Sequence, residues 1–216
     1  MTTLAKISLN EIRQRLQQHP AQSTSDVPYK NNKASLRKAA VLVPFVKIKG
    51  EWHLLFIQRA IHEKDRHSGQ VAFAGGKYEE SDSDLQATAL REAHEEIGIA
   101  PKDVSIIGEL NHHYSISDFQ ITPVVATVPW PYQLTLQTTE VAAAFTIPLD
   151  WLAQPSHHHI ELLGFEHQLH GAIINQLMSQ FNLRIIVCRL FHHLSPQLTA
   201  LQYIGFIHRN QSILSF

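Results

Sequence analysis

Residues 75–99 read GGKYEESDSDLQATALREAHEEIGI, and the rest of the chain can be interpreted from them. The second half of this stretch carries apolar residues at every fourth position: Leu85, Ala89, Ala93 and Ile97. This spacing predicts an amphipathic helix with one apolar face packed on a core. Ser83 and Gln86 form the pattern of a capping box, which predicts that the helix starts at Ser83. Gly98 follows the last apolar position and predicts the end of the helix.

Three acidic side chains crowd the polar face of this helix. Glu92 and Glu96 are four residues apart and Glu95 is three from Glu92, so the carboxylates project from neighbouring positions. Arg91 is placed to form an ion pair with Glu95, but no basic residue of the helix is placed to neutralise the charges of Glu92 and Glu96. Two interpretations remain, a solvated acidic face with one salt bridge or a site for a divalent cation. Oxygen ligands with no cysteine nearby suit magnesium or manganese better than zinc.

The glycine pair ahead of the helix favours the second interpretation. Gly75 and Gly76 allow positive φ and a close backbone approach, so a carbonyl group there could reach the same cation. A metal site would then be shared between a glycine loop and the acidic helix face.

Together these residues resemble the signature of the Nudix hydrolase family, G-x5-E-x7-R-E-U-x-E-E-x-G-U, in which U is aliphatic. The matching residues are Gly76, Arg91, Glu92, Ala93, Glu95, Glu96, Gly98 and Ile99. Asp82 stands in place of the first glutamate, and the spacer from Asp82 to Arg91 is one residue longer than in the signature. Both departures also resemble the Nudix branch that hydrolyses coenzyme A.

A second motif lies upstream and is similar to one of the same branch, L-[LF]-T-x-R-[SA]-x3-R-x3-G-x3-F-P-G-G. The residues in matching places are Leu55, Phe56, Arg59, Ala60, Gly69, Phe73, Gly75 and Gly76. Ile57 replaces the threonine, Ala74 replaces the proline, and the loop is one residue longer. The second arginine of the motif therefore has no direct counterpart. Lys64 takes its place when the spacing is counted forward from Ala60, and Asp65 when it is counted backward from Gly69. Arg66 is the nearest arginine.

The resemblance implies that this upstream segment binds the substrate. The implied contacts are Arg59, Arg66, Gly69, Phe73 and Gly76. The two arginines would contact the adenylate part of the substrate, and the alternative for Arg59 is a surface ion pair.

The resemblance also implies the roles of the acidic helix. Glu92 and Glu96 would be the principal metal ligands, joined by the Gly75 carbonyl group. Glu95 would be either a ligand or the base that orients the attacking water, and sequence does not separate these roles. Glu95, Glu96 and Arg91 are the implied catalytic residues.

Two further acids are implied to support the site from outside. Arg91 would pair with Asp82 and so lock the loop to the helix. Glu140 resembles an outer carboxylate of the family. Residues 140–145 and the following Ile147-Pro148-Leu149 are similar to a family element in which an acidic residue precedes a short helix. A charge at the start of a helix is the alternative for Glu140.

Periodicity in the rest of the chain predicts mixed α and β structure. Strands are predicted at residues 39–46, 52–58, 71–74, 104–110 and 119–128, and helices at residues 8–18 and 169–181. The first helix would bury Ile12 and Leu16, and residues 49–51 would form a hairpin turn. Residues 112–114, His-His-Tyr, are predicted to form a loop that is either a solvated turn or the border of a pocket. The run of three histidines at residues 157–159 is interpreted as loop.

Composition limits the class of protein. The 216 residues, 44% of them hydrophobic, suffice for one full core. A net charge of −1 and a pI near 7.0 give no bulk attraction to nucleic acid or to an anionic membrane. The single cysteine, Cys188, excludes an internal disulfide, and no signal sequence or spanning segment is visible. We therefore expect a cytoplasmic protein without nucleic-acid or membrane partners.

The resemblance implies an α/β/α sandwich with a mixed β-sheet. The expected domains are an N-terminal helix and linker (1–38), a Nudix hydrolase domain (39–181) and a C-terminal segment (182–216) that is free of acidic residues and has no assigned role. The implied reaction is the hydrolysis of coenzyme A or acyl-coenzyme A with Mg²⁺ or Mn²⁺. The alternatives are another nucleoside diphosphate derivative, such as ADP-ribose or a dinucleotide, and a non-catalytic nucleotide-binding module. The oligomeric state, including a homodimer, is left open.

Overall fold

The computed structural model describes residues 4–18, 36–61, 69–115 and 118–154, together with the single positions 187, 190 and 194. Its helices are α1 (Leu9–Gln18), α2 (Leu85–Ile97) and α3 (Leu149–Leu152), with 3₁₀ turns at Leu4–Lys6 and Pro101–Asp103. Its strands are β1 (Arg37–Ile48), β2 (Glu51–Arg59), β3 (Val71–Ala72), β4 (Gly75–Lys77), β5 (Ser105–Glu109), β6 (His113–Tyr114), β7 (Phe119–Thr127) and β8 (Val141–Pro148). In this part of the chain the strands form one mixed sheet.

β1 is the central strand, and the sheet is organised around it. The near-continuous apolar run of residues 39–46 is typical of a strand buried on both faces, and both faces of β1 are buried. β7 runs parallel to it on one side, from Arg37 opposite Phe119 to Phe45 opposite Thr127. On the other side β4 pairs with residues 39–41, and β2 pairs from Phe45 onward. Pro44, which has no N–H group to donate, lies in the gap between these two antiparallel partners.

The hairpin between β1 and β2 is one residue shorter than predicted. Lys49 and Gly50 both have positive φ, 49° and 86°, as a two-residue turn requires to follow the strand twist. Glu51, predicted to be part of the turn, already pairs with Ile48 in the sheet.

Helices cover both faces of the sheet, which confirms the α/β/α sandwich. On one face α2 packs through buried Ala89, Ala93 and Ile97, as its periodicity predicted. On the other face α1 and α3 contribute buried apolar residues: Ile12, Leu16, Leu149 and Leu152. Full burial of one such aliphatic side chain contributes about 1.5–3 kcal/mol to stability.

Residues before α1 and in the C-terminal segment also cover this second face. The Trp52 Nε1–H group of β2 donates a hydrogen bond to the Ile7 carbonyl oxygen, 2.7 Å away, in a buried position. Val187, Leu190 and Leu194 are buried in the same cluster. The C-terminal stretch without acidic residues therefore contributes side chains to the core.

The expectation of a short helix directly after Glu140 is wrong. Residues 141–148 form β8, which pairs antiparallel with β2 from His53 opposite Pro148 to Arg59 opposite Val141. The alanine-rich sequence favours a helix locally, but pairing along β2 satisfies the backbone of both strands. The short helix, α3, begins only at Leu149.

The expectation of a loop at residues 112–114 is also wrong. His113 and Tyr114 form β6, paired with Ile121 and Gln120 of β7, and both side chains are buried. Their burial excludes the solvated turn. The Nδ1 atom of the neighbouring His112 lies 2.9 Å from Thr122 Oγ1, within hydrogen-bond distance.

Several predictions fall outside the described residues. They concern Arg66, the histidines at residues 157–159 and the helix at residues 169–181. None of the described helices is long and apolar enough to cross a membrane.

Candidate active site

α2 carries the three acidic side chains, and its own sequence fixes both of its ends. The predicted start is wrong by one residue: Asp84 caps the helix, and its carboxylate accepts a hydrogen bond from the Ala87 N–H group at 2.7 Å. Asp and Ser are equally good caps, so the pattern alone did not separate Asp84 from Ser83. The predicted stop is confirmed, because Gly98 has a left-handed φ of 74° and its N–H group bonds to carbonyl oxygens of the last turn.

Glu96 is buried where α2 faces the start of β4. Only 3% of the residue is exposed, and its Oε2 atom accepts a hydrogen bond from the Gly75 N–H group at 3.0 Å. Burial raises the pKa of Glu96 to about 7, with the nearby Glu92 adding to the rise and the Gly75 hydrogen bond and Arg59 opposing it. The metal-free fold therefore does not fully compensate a negative charge on Glu96.

Glu92 lies directly over the glycine pair. A Cβ atom on Gly76 would be 2.3 Å from Glu92 Oε1, so only glycine leaves room for this carboxylate. The expected close approach is confirmed, but Gly75 and Gly76 lie in strand β4 and neither has positive φ. Burial also raises the pKa of Glu92, with Arg91 opposing the rise.

Glu95 differs from the other two glutamates. Its side chain is 55% exposed, and its Oε2 atom accepts a hydrogen bond from Arg91 Nη1 at 3.2 Å. The same Nη1 atom lies 3.0 Å from Glu92 Oε1, so the expectation that nothing on the helix serves Glu92 is wrong. Glu96 has no such partner on α2 among the contacts of the described residues, and it faces β4 instead.

Arg91 locks the loop before α2 to the helix. Its Nε and Nη2 atoms donate to the two carboxylate oxygens of Asp82 at 2.9 and 3.1 Å, so the predicted pairing is present. Thr88 Oγ1 and the Glu79 N–H group also donate to Asp82, at 2.9 and 3.0 Å. The hydrogen bond from Arg91 is the largest of the effects that hold the pKa of Asp82 well below its usual range. Arg91 Nη2 further donates to the Lys77 carbonyl oxygen at 2.9 Å, which ties the end of β4 to α2.

Arg59 and Glu140 lie near enough to the glutamates to act on their charges. Arg59 lies close enough to Glu96 to oppose the rise in its pKa, and Glu140 close enough to add to it. The two are linked through the backbone, because the Ala60 N–H group donates to the Glu140 carbonyl oxygen at 2.8 Å. The Gln137 N–H group donates to the Glu96 carbonyl oxygen at 2.9 Å, which fixes the turn that carries Glu140 against α2.

Two residues predicted to bind substrate have a structural explanation. Gly69 has a positive φ of 71° in the turn before β3, a conformation that favours glycine. Phe73 is 4% exposed and stacks on Phe56 with ring centroids 4.8 Å apart. Phe73 therefore packs in the core on the face of the sheet that α1 and α3 cover, and its contact with substrate stays a prediction.

The donor set fits a hard divalent cation at Glu92 and Glu96. Within the described ranges, no three His, Cys, Asp or Glu side chains form a group that could hold a metal ion, and the role of Glu95, as a ligand or as the base, stays a prediction. The buried Glu96 and the partly buried Glu92, both with raised pKa values, do meet at a strand whose backbone approaches them closely. Carboxylate and carbonyl oxygens are the ligands that magnesium and manganese favour.

Two parts of the site were missed by sequence reasoning. The Thr88 hydroxyl holds Asp82 from the first turn of α2, and the Gln137 N–H group anchors the turn before Glu140. A threonine one turn into the helix was a usable signal for the first contact. The second is a backbone contact and left no signal in the sequence.

Comparison with known proteins agrees with this arrangement. The family model described as NUDIX domain matches residues 36–165. The chain belongs to the Nudix family. As a Nudix hydrolase it acts on a phosphorus-containing anhydride.

Two curated relatives are both named "Uncharacterized Nudix hydrolase NudL". One, from Enterobacter sp. (strain 638), is 43% identical over 136 residues, which cover 62% of this chain and 70% of that protein. The other, from Salmonella newport (strain SL254), is 39% identical over 155 residues, or 72% of this chain and 77% of that protein.

Solved Nudix structures resemble the chain more distantly. The NUDIX domain of Shewanella oneidensis NrtR, complexed with ADP ribose, has a TM-score of 0.43 and 24% identity over 73% of this chain and 94% of that one. A C. elegans Ap4A hydrolase binary complex has a TM-score of 0.45 and 20% identity over 53% of this chain and 82% of that one.

Proposed function

We propose that this Nudix hydrolase cleaves the pyrophosphate of coenzyme A or acyl-coenzyme A, releasing 3′,5′-ADP and (acyl-)4′-phosphopantetheine. The observation that carries the proposal is the position of Arg59. This residue belongs to the upstream motif that resembles the coenzyme A branch, and it lies close enough to Glu96 to influence its pKa. This supports a single site shared by the acidic helix and the upstream segment that carries the coenzyme A motif.

The chain supplies a binding place for metal and pyrophosphate. Glu92 and Glu96 would hold a Mg²⁺ or Mn²⁺ ion together with the Gly75 carbonyl group. When bound, such an ion neutralises phosphate charge and lowers the pKa of the attacking water. Arg59 supplies a positive charge for the scissile pyrophosphate.

The remaining residues position the water and the helix. Glu95 is the most exposed of the three glutamates of α2, so we assign it the task of orienting and deprotonating the water. Glu140, held beside Glu96 by the turn before β8, serves as an outer carboxylate. Arg91 and Asp82 act through the loop and the helix that they join, as a positioning pair.

In a panel of nucleotide pyrophosphates incubated with magnesium, we expect kcat/KM to be highest for coenzyme A and its acyl derivatives. ADP-ribose, diadenosine tetraphosphate and nucleoside triphosphates are the comparison substrates, with products resolved by chromatography. Protein carrying Glu96→Gln, purified in the same way, controls for a contaminating phosphatase. A clear preference for ADP-ribose or for the dinucleotide would overturn the choice of coenzyme A and leave the Nudix chemistry in place.

A further inference from the structure

A cluster of two cations and one aromatic ring lies at the end of β1, β4 and β7. Arg37 pairs with Phe119 across β1 and β7, and its guanidinium carbon lies 4.0 Å from the centroid of the Phe119 ring. Lys77 pairs with Ala39 across β4 and β1, and its Nζ atom lies 5.9 Å from the same centroid. We call these three residues the Arg37–Lys77–Phe119 cluster.

The cluster presents positive charge to solvent at a fixed place. Arg37 and Lys77 are exposed, and Phe119 is half-buried. The ring attracts both cations through its π face and is itself anchored in β7. Two long cationic side chains are thus held around one point instead of spreading freely over the surface.

The cluster is linked to the metal-binding glutamates through β4. Lys77 follows Gly75 by two residues of strand, which corresponds to about 7 Å. The Lys77 carbonyl oxygen accepts the hydrogen bond from Arg91 Nη2 at 2.9 Å, so this end of β4 is tied to α2. Successive side chains of a strand alternate between faces, and since Gly76 faces Glu92, Lys77 reaches the opposite face. A substrate whose pyrophosphate lies at Glu92 and Glu96 would reach the two cations by extending past β4 to the other face of the sheet.

We propose that Arg37 and Lys77 bind a phosphate monoester of the substrate that lies outside the cleaved pyrophosphate. For coenzyme A, on whose hydrolysis this assignment rests, that group is the 3′-phosphate. Arg59 was the sequence-based candidate for contact with the adenylate part, but we assign it to the pyrophosphate because the next residue, Ala60, is hydrogen-bonded to the turn that carries Glu140. The Arg37–Lys77–Phe119 cluster supplies a separate pair of cations for the second anionic group.

Binding of the two products 3′,5′-ADP and 5′-AMP tests this without catalysis, since neither contains an anhydride. Both are titrated calorimetrically into the full chain with magnesium present, and they differ by the 3′-phosphate alone. The double variant Arg37→Gln/Lys77→Gln should bind 3′,5′-ADP about tenfold or more weakly, as the loss of charge-assisted hydrogen bonds implies. Its affinity for 5′-AMP should change by less than about twofold, because only the phosphate-bearing 3′ position loses its partners.

The chain offers a matched control on the same strand. Lys47 lies over the Trp52 ring, with its Nζ atom 5.1 Å from the ring centroid, at the opposite end of β1. Lys47→Gln should leave both affinities unchanged, and thermal melts verify that all variants are folded. Phe119→Leu keeps the apolar volume but removes the π face, so it should weaken 3′,5′-ADP binding alone and by less than the double variant.

Equal losses for the two nucleotides, or no loss for either, would overturn the subsite and leave the cations as ordinary surface charges. Failure of the proposed function is visible separately. If the parent does not hydrolyse coenzyme A but the double variant still loses 3′,5′-ADP selectively, the subsite stands and the substrate assignment falls.

Discussion

Replacing Glu96 by glutamine should abolish most of the hydrolytic activity while leaving the metal-free protein at least as stable as the parent. Glutamine keeps the size of the side chain and an oxygen that can accept the Gly75 hydrogen bond, but it removes the charge. Loss of a proposed metal ligand should lower kcat/KM by more than the roughly 10–100-fold loss that is typical of residues that only support a ligand. Stability and activity would then respond in opposite directions at one residue.

The raised pKa of Glu96 fixes the pH range in which the stability effect appears. Its pKa rises from the ordinary 4.5 to about 7 in the metal-free fold. The contribution of Glu96 to the free energy of unfolding is therefore fully present below pH 4.5 and is lost as the pH rises through 7. The loss amounts to about 3 kcal/mol at most. The Glu96→Gln variant should lack this decline, so it should exceed the stability of the parent near pH 8.

Chemical denaturation with a chelator present, between pH 5 and pH 8, measures the effect. Glu51→Gln is a matched control, because the same change is made at an exposed position in the hairpin at the far end of β1. If Glu96 instead served only as a structural partner of the Gly75 N–H group, the variant would be less stable at every pH and would retain substantial activity.

Replacing Arg91 by alanine should destabilise the protein and inactivate it together. The Asp82 side chain is 5% exposed, and it would lose the guanidinium that forms two hydrogen bonds with it. Removing one partner of a buried ion pair costs about 3–5 kcal/mol, and the partial exposure of Arg91 (21%) places the expectation near the lower figure. Activity should fall because Arg91 also contacts Glu92 and Glu95 and holds the end of β4.

The pH dependence of this second effect lies in a different range. Because the pKa of Asp82 is held below its ordinary value of 3.8, its stabilising contribution is present above that pH and is lost as the pH falls further. The stability of the Arg91→Ala variant should not show this loss at acidic pH. Adding Asp82→Asn to Arg91→Ala should restore part of the stability, since no buried charge is then left without its cation. Equal denaturation midpoints for the parent and Arg91→Ala would contradict the role of the pair.

Sequence was sufficient where local periodicity coincides with burial. The apolar stripe of α2, the buried face of α1 at Ile12 and Leu16, and the two-faced run of β1 were all predicted from spacing and are all present. In each case the residues that decide the structure are near neighbours in the chain. Secondary structure and packing then follow from the same pattern.

Sequence was insufficient where a segment takes its structure from a distant partner. Residues 141–148 form a strand because they pair with β2, and Gly75 and Gly76 form a strand because they pair with β1. His113 is buried because β6 pairs with β7. Such pairings join residues far apart in the chain, and no local pattern records them.

The site shows the same division. The spacing of Glu92, Glu95 and Glu96 predicted that the three carboxylates would act together, but burial separates them. Glu96 is turned to the Gly75 N–H group, and Glu95 is turned to solvent and Arg91. The contact of Arg91 with the adjacent Glu92 could not be anticipated either, because consecutive residues of a helix do not face each other.

The most direct test of the central claim, that Glu92 and Glu96 hold a divalent cation, is a calorimetric titration of Mn²⁺ into the chelator-treated protein at pH 7. The parent and Glu51→Gln should bind the ion alike and release protons on binding, since Glu96 is partly protonated at this pH. The double variant Glu92→Gln/Glu96→Gln should show neither the binding nor the proton release. Equal Mn²⁺ affinity in the parent and the double variant would contradict the account.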